Sequence, residues 1–115
     1  MALEFYSEIE IIEVMESYLI SARPREEIRN QLDIGYKVDG QSVVIFEIRP
    51  VWNNPKEKAE YNIAKATFLK KENTWKIFWF MSDLKWHNYK PVPKVDSLRK
   101  FVEIIKEDKL GCFWG

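Results

Sequence analysis

The sequence predicts an α+β fold: an antiparallel sheet of four to five strands, arranged as two hairpins and packed by an N-terminal and a C-terminal helix. Three observations carry this. Apolar residues recur at three and four residue steps from Ile11 to Leu19, alternate from Leu32 onward, and return to helical spacing from Leu98 to Ile105. Turn residues punctuate the alternating stretch at Asp39-Gly40, Asn53-Asn54-Pro55 and Lys71-Glu72-Asn73. Strands joined by short turns, with helices outside the run, give a segregated rather than an alternating architecture.

Ser7 and Glu10 have the spacing of a capping box, in which each side chain satisfies a free backbone N–H, so the first helix is expected to begin there. Its apolar stripe is read as Ile11, Ile12, Met15, Tyr18 and Leu19, with Glu10, Glu13 and Glu16 on other faces. Arg23-Pro24 ends it, and Pro24 can open a short second helix through Ile28, because the first helical position needs no N–H.

Leu32, Ile34, Tyr36 and Val38 alternate with Asp33, Gly35, Lys37 and Asp39, the pattern of a half-buried strand. Asp39-Gly40 offers positive φ for a tight primed turn, and Val43 to Arg49 returns, so residues 32 to 49 read as a hairpin. Pro50 has no ladder donor and Asn53-Asn54-Pro55 is turn chemistry, which predicts a loop over residues 50 to 58. Tyr61 to Leu69 and Thr74 to Met81 form a second hairpin. The dense apolar run Trp75, Ile77, Phe78, Trp79 and Phe80 suggests a central strand covered on both faces, with Trp75 and Trp79 in the core. Residues 83 to 89 alternate again and extend the sheet until Pro91 and Pro93. Asp96 or Ser97 caps the last helix, whose Leu98, Phe101, Val102 and Ile105 share a face, and Gly111 is placed to stop the chain after it.

The 115 residues are 46% hydrophobic and 15% aromatic, enough for one core, so residues 1 to 115 are expected to form a single domain. Formal charge is +0, which removes any global field towards nucleic acid or membrane. The distribution is uneven, however. Residues 44 to 94 carry ten Lys or Arg against five acids, so a sheet built from them can present a locally basic face. Cys112 is the only cysteine, which excludes an intramolecular disulfide and fits a reducing, cytoplasmic setting. The N-terminus shows neither a secretory signal nor a membrane span.

Five ordered blocks, Phe46-Glu47-Ile48-Arg49-Pro50-Val51-Trp52, Ile63-Ala64-Lys65, Trp75-Lys76-Ile77-Phe78-Trp79, Asp83-Leu84-Lys85-Trp86-His87-Asn88-Tyr89 and Gly111-Cys112-Phe113-Trp114-Gly115, resemble the bacterial family of domain of unknown function 3024. The resemblance runs from about Leu32 to the end. It implies a bacterial cytoplasmic protein and carries no activity, cofactor or partner with it.

Among the polar residues, alternation points Glu47 and Arg49 one way, places Lys65 on a nearby strand, and gives Asp83, Lys85 and His87 one side of another strand. If these sides coincide, with Trp52 at the edge, the cluster can hold an anion or move a proton; the competing reading is a structural ion-pair network at a sheet rim. No catalytic residue is assigned. His87 is the only histidine and no ligand spacing is present, so no metal or other cofactor is expected. Cys112 lacks a base near it in sequence and reads as an inert, buried thiol. An acid at Asp33 followed by Glu47-Ile48-Arg49 resembles a metal-dependent nuclease hairpin, but Arg stands in place of Lys and is too basic to activate water. Trp52, Trp86 and the lysines Lys65, Lys76 and Lys85 suggest a stacking surface for nucleic acid, weighed against ordinary core packing of the tryptophans. The expected function is a non-enzymatic binding module for an anionic ligand or nucleic acid. The alternatives are a homodimeric interaction domain and a small hydrolase using Glu47 or His87 with Arg49.

Overall fold

The computed structural model describes residues 5 to 114, the first three of them by backbone alone. Helix α1 (Phe5–Ala22) already includes Ser7, whose side chain lies outside the described ones, so the expected capping box falls inside the helix rather than at its start. Its buried stripe is Ile11, Val14, Met15 and Tyr18, while Ile12 is 54% exposed. The reason is angular: Val14, Met15 and Tyr18 follow Ile11 by three, four and seven residues, whereas Ile12 sits about 100° round the helix from it. Arg25, not Pro24, precedes the single turn of 3₁₀ helix at Glu26–Ile28.

Six strands follow, β1 (Asp33–Asp39), β2 (Ser42–Val51), β3 (Asn54–Leu69), β4 (Thr74–Phe80), β5 (Trp86–Asn88) and β6 (Lys94–Val95), then α2 (Leu98–Glu107). The sheet is antiparallel in the order β1-β2-β3-β4-β5, and β6 pairs with β4 beside β5, so the fold is α+β as the sequence predicts. The β1–β2 hairpin closes on Asp39 opposite Ser42, and only Gly40, the first of the two turn residues, has positive φ, the pattern of a II′ turn.

The expected loop over 50 to 58 is mostly strand. β2 continues to Val51 and β3 starts at Asn54, leaving Trp52-Asn53 as a tight turn at the tip of a long two-stranded arm. Pro50 is tolerated because β1 ends its pairing at Ile48, so from there on β2 has only β3 beside it. Register shifts between Ile45 and Phe46 and between Pro50 and Val51 mark the root and the tip of this arm.

Both helices lie on one face of the sheet. α2 packs over β3, β4 and β6, and α1 touches β1 and α2. Ala64 and Ala66 sit fully buried on this face of β3, where their small side chains leave room for Phe101, Leu98 and Ile105 of α2. β4 is central, as expected, but it is covered by helix on one face only. Ser97 caps α2, its hydroxyl accepting a bond from the Lys100 N–H at 3.3 Å, whereas Asp96 pairs with the Lys100 ammonium at 2.9 Å. The helix ends on Asp108 at φ 43, before Gly111. The Asp108 carboxylate accepts bonds from the Phe113 and Trp114 N–H groups at 3.0 and 2.9 Å and folds the tail back, so that Phe113 enters the core beside Tyr89.

Trp75 is buried, while Trp79 is packed against the core with part of its ring open. Phe101→Ala should therefore cost about 3 to 5 kcal/mol in chemical denaturation, and Trp79→Ala measurably less, because part of its side chain never leaves water. Equal losses for the two would place Trp79 inside the core.

Candidate functional site

The face of the sheet without helices is built by register. Directly opposed residues share a side, so Gly35 with Phe46, Val44 with Lys65, Lys65 with Phe78, Thr67 with Lys76 and Phe80 with Trp86 all point away from α1 and α2. Aromatic rings line this face and lysine ammoniums cover them. The Lys65 Nζ lies 4.7 Å from the Phe78 ring centre and 4.8 Å from that of Trp86, Lys76 stands 5.2 Å from Phe78, and Lys37 stands 5.5 Å from Phe46. Phe80 and Trp86 meet edge to face at 4.9 Å. At the β1 edge the Phe46 ring lies so close over Gly35 that an added Cβ would meet it at 3.0 Å, so only glycine leaves the ring flat there.

The charges on this face are not all equivalent. Lys37 pairs with Glu60 at 3.2 Å and Lys94 with Glu72 at 2.7 Å. Among the described residues, Lys65 and Lys76 reach no carboxylate at ion-pair distance. Partial burial between two rings lowers the Lys65 pKa below the usual lysine range, with Asp39 partly opposing the shift.

The residues read from the sequence as one cluster are distributed over four places. Glu47 and Arg49 share a side, as alternation requires, but they bond each other, the Arg49 Nε and NH₂ groups lying 3.1 and 3.0 Å from one Glu47 oxygen. They lie on the helix-bearing side, since Glu47 is opposite Ile34, whereas Lys65 lies on the other. Asp83 and Lys85 precede β5 in a turn where Leu84 takes φ 61. One Asp83 oxygen accepts the Lys85 N–H at 3.0 Å and the other meets His87 Nε2 at 2.8 Å. His87 is opposite Trp79, three strands from Glu47, which is about 14 Å at the spacing of neighbouring strands. Trp52 is 91% exposed at the arm tip, away from all of them. The two acids of the nuclease-like reading point to opposite faces, because Asp33 pairs with Ile48 and Glu47 with Ile34. Asp33 is instead held by Arg23 through two bonds of 2.8 and 2.7 Å. Among the described residues no three His, Cys, Asp or Glu side chains gather as metal ligands.

Lys76 is on this face as the stacking reading expects, whereas Phe46, Phe78 and Phe80 are residues of it that sequence does not single out as a site. The alternation of Lys76, Phe78 and Phe80 along β4 was visible, but which side the helices would occupy was not.

A protein-family model described as domain of unknown function (DUF3024) matches residues 5 to 115. No curated protein and no solved structure matches the chain. No helix among the described residues is long and apolar enough to cross a membrane.

The bond from His87 is the largest of the influences that hold the Asp83 carboxyl below the usual aspartate range, ahead of the Lys85 N–H bond that acts the same way. A depressed folded value means that the pair's contribution is present above the unfolded aspartate pKa and is lost as pH falls through the folded one. In a carboxyl-detected NMR titration, Asp83 should lose its proton below the unfolded value of about 3.9, and His87→Gln should bring it back towards that value. An unchanged Asp83 titration in the variant would show that His87 is not its partner.

Proposed function

The chain belongs to the family described as domain of unknown function (DUF3024), a description that assigns no activity, and on that premise we propose that it is a non-enzymatic module whose helix-free sheet face binds single-stranded nucleic acid. The observation that carries the proposal is the Lys65 ammonium, held between the Phe78 and Trp86 rings with no carboxylate at ion-pair distance among the described residues. In the free protein the ammonium shields the rings. An arriving strand exchanges this for two better contacts, phosphate on Lys65 and Lys76, and a base stacked on the uncovered ring. A cation–π contact at a partly exposed site is worth about 0.5 to 1 kcal/mol and a stacked base about 1 to 3 kcal/mol, so the exchange favours the complex.

Net neutrality limits the affinity, and the lysine–phosphate contacts, which release counterions, make it sensitive to salt. A bacterial cytoplasmic setting suits the single thiol of Cys112. The hydrolase reading loses its support from geometry, since Glu47 is committed to Arg49 and His87 to Asp83 on separate elements. Self-association is the second reading, favoured by the exposed Trp52 at the arm tip.

Fluorescence anisotropy with a labelled oligothymidylate of about 12 nucleotides tests the proposal. Binding should weaken with salt, and Lys65→Met and Lys76→Met should each lower affinity and flatten the log–log salt slope by about 0.7. Unchanged affinity and slope in the double variant would overturn it, and oligomers in sedimentation without oligonucleotide binding would favour self-association.

A further inference from the structure

On the opposite side of β4 and β5, under the folded-back tail, lies a cavity of about 410 Å³. We propose that it is a second binding site, independent of the helix-free face, and that it takes a small carboxylate with a flat apolar body. The space is roughly two to three times the ~150 Å³ that holds one benzene, enough for a bicyclic body. Its walls are Trp79, Met81, Tyr89, Pro91, Leu110 and Cys112. These supply apolar surface around the ligand, which is what ordinarily gives a pocket its affinity.

Charge selects the head group. Lys90 and His87 line the cavity and, among the described residues, no carboxylate does. Burial raises the pKa of both Tyr89 and Cys112, so the phenol and the thiol stay uncharged at neutral pH. The Asp108 carboxylate, whose charge acts on Tyr89 and Cys112, is turned to the Phe113 and Trp114 N–H groups, and Asp83 takes the Lys85 N–H and one nitrogen of His87. Asp83 also fixes the imidazole, leaving Nδ1 as its other polar atom. β5 adds backbone donors. It has β4 on one side only, the Tyr89 N–H is spent on the Ile77 carbonyl at 3.0 Å, and the alternate N–H of Asn88 therefore points off the sheet at the cavity rim. Lys90 is thus the one lysine or arginine among the described lining residues, and a single ammonium complements a carboxylate rather than a phosphate dianion.

Three ligands with one body separate the possibilities: naphthylacetate, the neutral naphthylethanol and naphthyl phosphate, each titrated into the ¹⁵N-labelled full chain. Naphthylacetate should bind saturably, shift amides of residues 79 to 90 and 108 to 114, and bind more tightly than the other two. Lys90→Met should lower its affinity about tenfold and bring it to the level of naphthylethanol, while Lys56→Met on the arm leaves it unchanged. Met81→Trp should fill the cavity and abolish binding; if that variant does not fold, Lys90→Met, an exposed change, decides alone. Equal affinity for acid and alcohol, tighter binding of the phosphate, shifts centred on Lys65 and Lys76, or no effect of Lys90→Met would each overturn the assignment. Because the site lies on the other face, failure here leaves the oligonucleotide result standing, and the reverse also holds.

Discussion

The antiparallel sheet has two faces, and the two helices cover one of them. Much of the molecule follows from that shortage. On the covered face, Ala64 and Ala66 keep the middle of β3 low so that α2 can seat Leu98, Phe101 and Ile105 against it. On the other face Val44, Phe46, Phe78 and Phe80 have no second layer, and leaving such rings fully wet would forfeit the burial that large aromatics contribute. Long lysines supply the cover instead, laying methylene stems along the rings and keeping their charged ends towards water. Val44 and Phe46 are buried by this means although no helix lies above them.

Much of the fold was legible because period and punctuation agreed. The helical step from Ile11 to Tyr18, the alternation from Leu32, the turn at Gly40 and the capping Ser97 all describe local chemistry that the structure keeps. Where the reading failed, a non-local fact decided. Pro50 argues against a strand only where a partner needs its N–H, and whether β1 reaches that far depends on where it starts, not on Pro50. Ile12 and Val14 are equally apolar, and the choice between them rests on which side of α1 meets the sheet.

The candidate site was less legible for the same reason. Alternation correctly paired Glu47 with Arg49 on one side, yet it says nothing of how far β2 stands from β5, and three strand spacings separate Glu47 from His87. Nor does it reveal which of the two sides of β4 will be free. Had Trp75, Ile77 and Trp79 faced water, Lys76 and Phe78 would have been the core side, and the lysines would have had to be buried without partners. The presence of Lys65 and Lys76 opposite and beside Phe78 is thus itself the sequence signal, readable only once the register of β3 with β4 is known.

Covering rings with lysines has a consequence that covering them with a helix does not. A helix packed on the sheet is held by many contacts and leaves only with global unfolding, whereas each Lys–ring contact is individually weak and can open alone on the timescale of side-chain motion. The lysine layer is therefore a removable lid over an aromatic floor. Lys65 and Lys76 are held by ring contacts without an ion pair among the described residues, and the Lys65 ammonium is partly desolvated, as its lowered pKa records, so a full negative charge would relieve a cost that two ring faces do not. Arg23 and Lys37 are not in that position, since Asp33 and Glu60 already compensate them. On the proposed nucleic-acid reading, contact with an anionic partner falls at Lys65 and its neighbour Lys76, in the middle of the sheet, where a partner that draws the lysines away would also uncover the rings on which it would stack.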